Sequence, residues 1–507
     1  LEVLDEASER IELQYIGSSV QGDPLMLVVV SDPERRTTLE NRRQRVEAIA
    51  DAWATDRDER RELAANEPAV CWIACSVHGD EASGSDAGVL LAYHLAADRS
   101  EATASVLESS VVLIDPCQNP DGRRRFLQQV RSFGRQRLAP DPSPWAAEHW
   151  STWPGGRTNH FLFDLNRDWA FLTQAESRAR VAAFLEWRPQ VFVDLHEMAR
   201  HSSYFFPPPT DPINPHIPPA HLAWFDVFGQ ANARAFDAQG FDYFVGESFD
   251  LFYPGFGDSW PTLQGAVGMT YEQASTRGRR MRRPDGSIAG YPAAVQHHFV
   301  AALTTVETTS DHSRELMGSL VEFGDTMRER AEADPRAEIV IGIGRGRAQA
   351  ERMAEVLTRQ GIRVSRTLED ATERLGSLED GDDEEVFLPA GSFRVPLAQP
   401  AYSLVRSLLD LHVDMDDGFI EEEEERARRG LHSRVYDVTA WSMILCFGLD
   451  AWASRGELEI PSEPVQLDVA PTPSPVPDAR VGWVLPCTDN AVYSALASLW
   501  DEDVVVH

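Results

Sequence analysis

Apolar positions along the chain recur with two periods, and the two alternate. Residues 10–32, RIELQYIGSSVQGDPLMLVVVSD, first alternate and then run apolar across a Gly22-Asp23 turn, which predicts a hairpin. Four short apolar runs follow: AVCWIACSV at 69–77, SVVLIDP at 110–116, VFVDLHEM at 191–198 and AVGMTYEQA at 266–274. Each is the length of a strand and is rich in β-branched and aromatic residues, as strands buried on both faces are. Between and after them, 84–98, 174–187 and 291–312 carry helical spacing. Strands alternating with helices predict an α/β domain built on a mixed, largely parallel sheet flanked by helices. A charged helical stretch at 313–336 follows this domain. A strand EIVIGIG at 338–344 then opens a second, smaller α/β domain.

The domain boundaries implied are 1–312, a helical connector 313–336, a second α/β domain 337–461, a Pro-rich linker 462–478 and, at 479–507, the start of a third α/β unit read as strand, helix, strand. GIGRGR at 342–347 lacks the dinucleotide fingerprint and reads as a strand-to-helix turn. EEEEERARRG at 421–430 reads as a solvated helix face or loop.

Composition narrows the function classes. Of 507 residues 43% are hydrophobic, the mark of a folded chain, and no apolar run is long enough for a membrane-spanning helix. The formal net charge is −34 and there is no lysine. Arginine in place of lysine fits a GC-rich coding sequence, and dense carboxylates fit a high-salt surface. Either way, nucleic acid and anionic membranes are excluded as expected partners. The five cysteines are odd in number and lack scaffold or zinc-ribbon spacing; Cys71, Cys75 and Cys117, inside apolar runs, read as buried small hydrophobes. The chain begins at Leu1 with no signal-peptide pattern.

Chemistry gathers where strands end. In sheets of this type working residues collect at the carboxyl ends of strands, and His78, Asn119, His196 and Glu272 all fall at or just past such ends. His78 and Glu81 in HGDE can reach one ion from a single turn. His196 offers a third ligand, with Asp194 and Glu197 beside it to orient its ring. His160, His201, His297 and His298 lack that strand-end setting. Glu272, at the end of an apolar run, reads either as a salt-bridged strand-end glutamate or as a base for a metal-bound water.

The segments HGDE at 78–81, NPDG at 119–122, DLNRDW at 164–169, VDLH at 193–196 and TYEQ at 270–273 keep an order that resembles the zinc carboxypeptidase family, over roughly residues 10–310. The resemblance implies Zn2+ held by His78, Glu81 and His196, Glu272 as general base and acid, and Asn166 with Arg167 binding the free carboxylate of a peptide or protein C-terminus. It also implies an oxyanion-stabilising arginine, with Arg135 nearest by spacing and Arg125 and Arg131 open. A substrate-binding tyrosine is matched by Tyr253, for which simple packing is an equal reading. YDVTAWSMILCFGLDAW at 436–452 adds a resemblance to large bacterial multidomain members, in which the catalytic domain is followed by further α/β units. The expected activity is hydrolysis of C-terminal peptide bonds, in a secreted or periplasmic setting. The alternatives are an amidohydrolase of the same fold acting on N-acyl amino acids, and a catalytically silent binding protein. Oligomeric state is left open.

Overall fold

The computed structural model describes residues 1–35, 39, 41–134, 140–379, 381–467, 481–485 and 487–506. Arg135 and the greater part of the Pro-rich linker lie outside the described residues. The chain forms two compact units, one of Leu1–Thr326 with Asp414–Thr439, the other of Met327–Val413 with Ala440–His507. Residues 414–439 sit within the stretch read as the second domain, yet they group with the first unit.

The first unit carries a seven-stranded mixed sheet in the order β1-β2-β4-β3-β5-β7-β6. Its strands are β1 (Ile11–Ser18), β2 (Pro24–Val30), β3 (Ala69–Cys75), β4 (Ser110–Asp115), β5 (Val191–Met198), β6 (Tyr204–Phe205) and β7 (Val267–Ala274). β4, β3, β5 and β7 pair in parallel and form its centre. β1, β2 and β6 join antiparallel at the edges. The hairpin predicted at 10–32 is β1–β2, and Gly22 takes the left-handed backbone its turn needs.

The central strands are unbroken apolar runs because both faces are covered. Every residue of β3 and β4 is buried. Trp72, Trp169, Phe184, Phe192 and Trp260 pack in stacked, tilted and edge-on pairs at 5.1–6.4 Å between centroids. Such aromatic clusters bury about 150–250 Å² per ring and anchor the parallel strands in register. Register is what positions the chemistry: Ala74 pairs with Asp194, and His196 with Glu272. A short hairpin of β8 (Arg280–Arg282) and β9 (Ile288–Gly290) follows β7.

The second unit holds β10 (Glu338–Ile341), β11 (Ser365–Thr367), β12 (Ala371–Ser377), β13 (Asp383–Leu388), β14 (Phe393–Pro396), β15 (Ala451–Ser454) and β16 (Ser462–Pro464). All of its strand pairs are antiparallel. Val340, Leu375, Val386, Leu388 and Ile460 form one of its cores. Buried Arg394 grips Glu338 through two 2.7 Å bonds. Beyond the linker the predicted helix forms at Ala491–Asp501, but the strands expected on either side of it do not form among the described residues. Val481 and Val484 stand almost wholly exposed.

Candidate metal centre

β3 ends at Cys75, and the chain then turns sharply. Ser76 takes a left-handed φ of 56°, and its hydroxyl donates to the His78 carbonyl at 3.1 Å. The Glu81 amide donates to the same carbonyl, closing a turn that sets the His78 and Glu81 side chains together. Gly79 is required there. A Cβ at that position would lie 2.1 Å from the Arg123 amide nitrogen, so only glycine lets this turn lie on the start of the helix Pro120–Gly134.

One Glu81 carboxylate receives two rings. His78 Nδ1 lies 2.9 Å from Oε1, and His196 Nδ1 lies 3.0 Å from Oε2. The ring centroids are 5.0 Å apart. Donor atoms of all three residues fall within 4.8 Å of one another, and all three residues are buried. The Glu197 amide also donates to Glu81 Oε2, at 2.9 Å. The Glu197 carboxylate itself turns away to Ser83 and Ser275. Of the two acidic neighbours of His196, Asp194 is the one at the ring: its Oδ2 lies 3.1 Å from Nε2, while Gln118 holds its other oxygen at 2.7 Å. His78 is matched by Asp164, whose Oδ1 lies 3.0 Å from Nε2.

Each imidazole therefore has carboxylate oxygen at both nitrogens. A neutral ring has only one N–H to donate. Satisfying both contacts takes an extra positive charge at each ring, either a proton or a share of a metal ion set between the Nδ1 atoms and Glu81. Burial disfavours the charged rings, but Glu81 and Asp164 raise His78, and Asp194 with Glu81 raise His196 well above the usual histidine range. Burial likewise opposes ionised Glu81, and the two rings overcome it, holding its carboxyl well below the usual carboxylate range. Two nitrogens and a carboxylate, with Asp164 hydrogen-bonded behind His78 and the Asp194 carboxylate close behind His196, are a donor set that fits zinc.

Glu272 stands beside this cluster because β7 runs parallel to β5 in the register that pairs it with His196. It is buried, and its Oε2 has no hydrogen-bond partner. Burial pushes its carboxyl up to about 8 against the pull of the His196 ring.

Sequence reasoning missed Arg157. Its guanidinium binds Asp164 at 2.9 and 3.0 Å, with Nη1 3.3 Å from His78 Nδ1 and 3.7 Å from Glu81. The motif residues hold its loop: Asn119 donates to the Arg157 carbonyl, and Arg125 donates to the carbonyls of Gly155, Thr158 and Asn159. Arg125 is thereby occupied in supporting the loop, and Arg131 is exposed in the last turn of its helix. The available signal was Arg157 itself, the lone cation between Gly155-Gly156 and DLNR.

Asn166 accepts from the Gly257 amide at 2.7 Å, and its own amide hydrogen is held by Asp164. The Tyr253 hydroxyl donates to the Arg167 carbonyl at 2.9 Å, so this buried ring props the backbone of that residue. The Arg167 guanidinium packs on Phe256 and bonds Asp437 from the 414–439 segment.

A mixed sheet with two histidines and a glutamate converging at the carboxyl ends of parallel strands defines an α/β protein with a side-chain cluster that could hold a metal ion. The chain belongs to the zinc carboxypeptidase family, whose model matches residues 1–259 and ends upstream of β7. No curated protein matches the chain in sequence. Among solved structures it is similar to a metallo-carboxypeptidase from Burkholderia cenocepacia, at 16% identity over 60% of this chain and 66% of that one, with a TM-score of 0.40. It is also similar to a metallo-carboxypeptidase from Pseudomonas aeruginosa, at 15% identity over 62% and 68% with a TM-score of 0.40. A carboxypeptidase A from Helicoverpa armigera is 14% identical over 63% and 71%, with a TM-score of 0.38. The chain thus spans just under two thirds of the length of the first of these. Among the described residues no helix is long and apolar enough to cross a membrane.

Proposed function

We propose that the protein is a zinc metallocarboxypeptidase that removes residues from peptide or protein C-termini, secreted or periplasmic in setting. The observation that carries this reading is the convergence of His78 Nδ1 and His196 Nδ1 on Glu81, with the unpartnered Glu272 carboxylate one strand away. His78, Glu81 and His196 hold the ion. When bound, zinc supplies a Lewis acid for the scissile carbonyl and a water of lowered pKa.

The remaining work falls to the chain. Asp164 keeps the His78 Nδ1 turned inward, and the negative charge of Asp194 lies behind the His196 ring. Glu272 is buried and without a competing hydrogen bond; the charge of a bound ion would favour its ionised form, in which it accepts the proton of the attacking water and returns it to the leaving amine. Arg157, beside the cluster and only half-exposed, is, among the described residues, a cation placed to share the charge of the oxyanion. Asn166 and Arg167 bind the terminal carboxylate, for which the guanidinium fork is suited.

The test is a panel of peptides that differ only in the last residue, incubated with the zinc-loaded protein with and without a chelator. The expectation is stepwise loss of C-terminal residues that stops on chelation and resumes with added zinc. Trimming that ignores the chelator, or cleavage of internal bonds alone, refutes it.

A further inference from the structure

The first unit is completed by residues 414–439, which belong to it although 87 residues of the second unit, Met327–Val413, precede them in the chain. This segment is built to deliver its far end. The helix Asp417–Arg428 is started by Asp416, whose side chain accepts the Phe419 amide, and Phe419 is buried. After the helix the chain folds back. Glu423 accepts from the Ser433 hydroxyl and from the Arg434 amide and guanidinium, while Glu422 takes a second Arg434 nitrogen at 2.6 Å. Arg434 lies over the Phe419 ring at 5.2 Å. These contacts fix the strap two residues before Tyr436 and Asp437.

The strap ends on Arg167. Asp437 Oδ2 accepts from Arg167 Nε at 2.7 Å. The Tyr436 ring lies 5.8 Å from the same guanidinium and packs against Phe249 and Phe256. Arg167 Nη1 donates to the Asn166 carbonyl. The side chain read as the receptor for a substrate carboxylate thus already carries a carboxylate, supplied by the chain itself.

We propose that Asp437 is an intramolecular competitor for the substrate's terminal carboxylate at Arg167, and that the Tyr436–Asp437 strap therefore sets how strongly free C-termini bind. The inference rests on the reading of Arg167 given above. An incoming carboxylate must displace Asp437 or approach it at the cost of like-charge repulsion. The Asp437 side chain is 42% exposed, so the exchange opens no buried core. Exposed ion pairs of this kind correspond to roughly a two- to fivefold effect on binding.

The test is calorimetric binding of N-acylated dipeptides with free or amidated C-termini to the zinc-loaded 507-residue chain, with Glu272→Gln in every protein to prevent turnover. Asp437→Asn should tighten the free acids about two- to fivefold and leave the amides unchanged. Arg167→Gln should abolish the preference for acid over amide, and adding Asp437→Asn to it should change nothing further. If Arg167→Gln abolishes the preference but Asp437→Asn leaves it unaltered or weakens it, the competitor role is overturned and the carboxylate reading of Arg167 stands. If wild-type Arg167 gives no preference, or neither peptide binds, the reading of Arg167 itself fails.

Discussion

Asp164 joins two functions in one carboxylate, and replacing it by asparagine tests how they divide. Its Oδ1 accepts from the His78 Nε2–H at 3.0 Å, and its Oδ2 pairs with Arg157 at 2.9 Å. Burial opposes its charge, yet the His78 ring and then Arg157 hold its carboxyl well below the usual carboxylate range. Both pairings therefore depend on the negative charge that Asp164→Asn removes. A hydrogen bond to a charged group contributes about 1.5–3 kcal/mol, and removing the outer partner of a metal-bound histidine costs about 10–100-fold in metal affinity. Zinc binding should fall by that 10–100-fold, measured by competition with a chromophoric chelator. Arg157→Gln is the control. It removes the same ion pair but leaves the His78 bond, and it takes a cation from 3.7 Å of Glu81. It should hold zinc at least as tightly as wild type while losing activity. Unchanged affinity in Asp164→Asn would refute the orienting role, as would equal losses in the two variants.

Glu272→Gln should retain zinc and lose about three orders of magnitude or more in kcat, the scale of a removed acid–base group; near-normal turnover in a zinc-loaded variant would take Glu272 out of the mechanism. His221 is buried, and its Nε2 contacts the Ala266 carbonyl at 2.7 Å. Burial lowers its pKa, so the native state keeps it neutral where the unfolded chain takes up a proton. Stability should therefore be full above the unfolded value of about 6.5 and decline as pH falls below it, by at most about 1.4 kcal/mol per pH unit from this group. Urea unfolding of His221→Gln should show a shallower decline, and an unchanged slope would assign the acid sensitivity elsewhere.

What the sequence made legible was chemistry tied to strand ends. His78, His196 and Glu272 were readable because a parallel strand's apolar run stops where its polar residue begins, and register then aligns the neighbours. Asp194 was visible for the same reason, two positions before His196 on one strand face. Arg157 was not, because it sits in a loop whose path is set by carbonyl contacts to Arg125 and Asn119, and periodicity does not encode these. Tyr436 and Asp437 were hidden for a stronger reason. They lie inside what reads as the second domain, and only folding carries the pair back across 270 positions to Arg167. Among the described residues the strands expected near the end of the chain do not form, since apolar residues alone do not make a strand without a partner to pair with.

The discontinuity of the first unit bears on how the protein is made. At about 5–20 residues per second of translation, the 113 residues between Thr326 and Thr439 take roughly 6–23 s to emerge from the ribosome. Through that interval the nascent chain can assemble its parallel strands and close its histidines around Glu81, while Phe249, Phe256 and Arg167 still await Tyr436 and Asp437. A ribosome stalled in this window would display an early form of the first unit with Arg167 open to any carboxylate nearby.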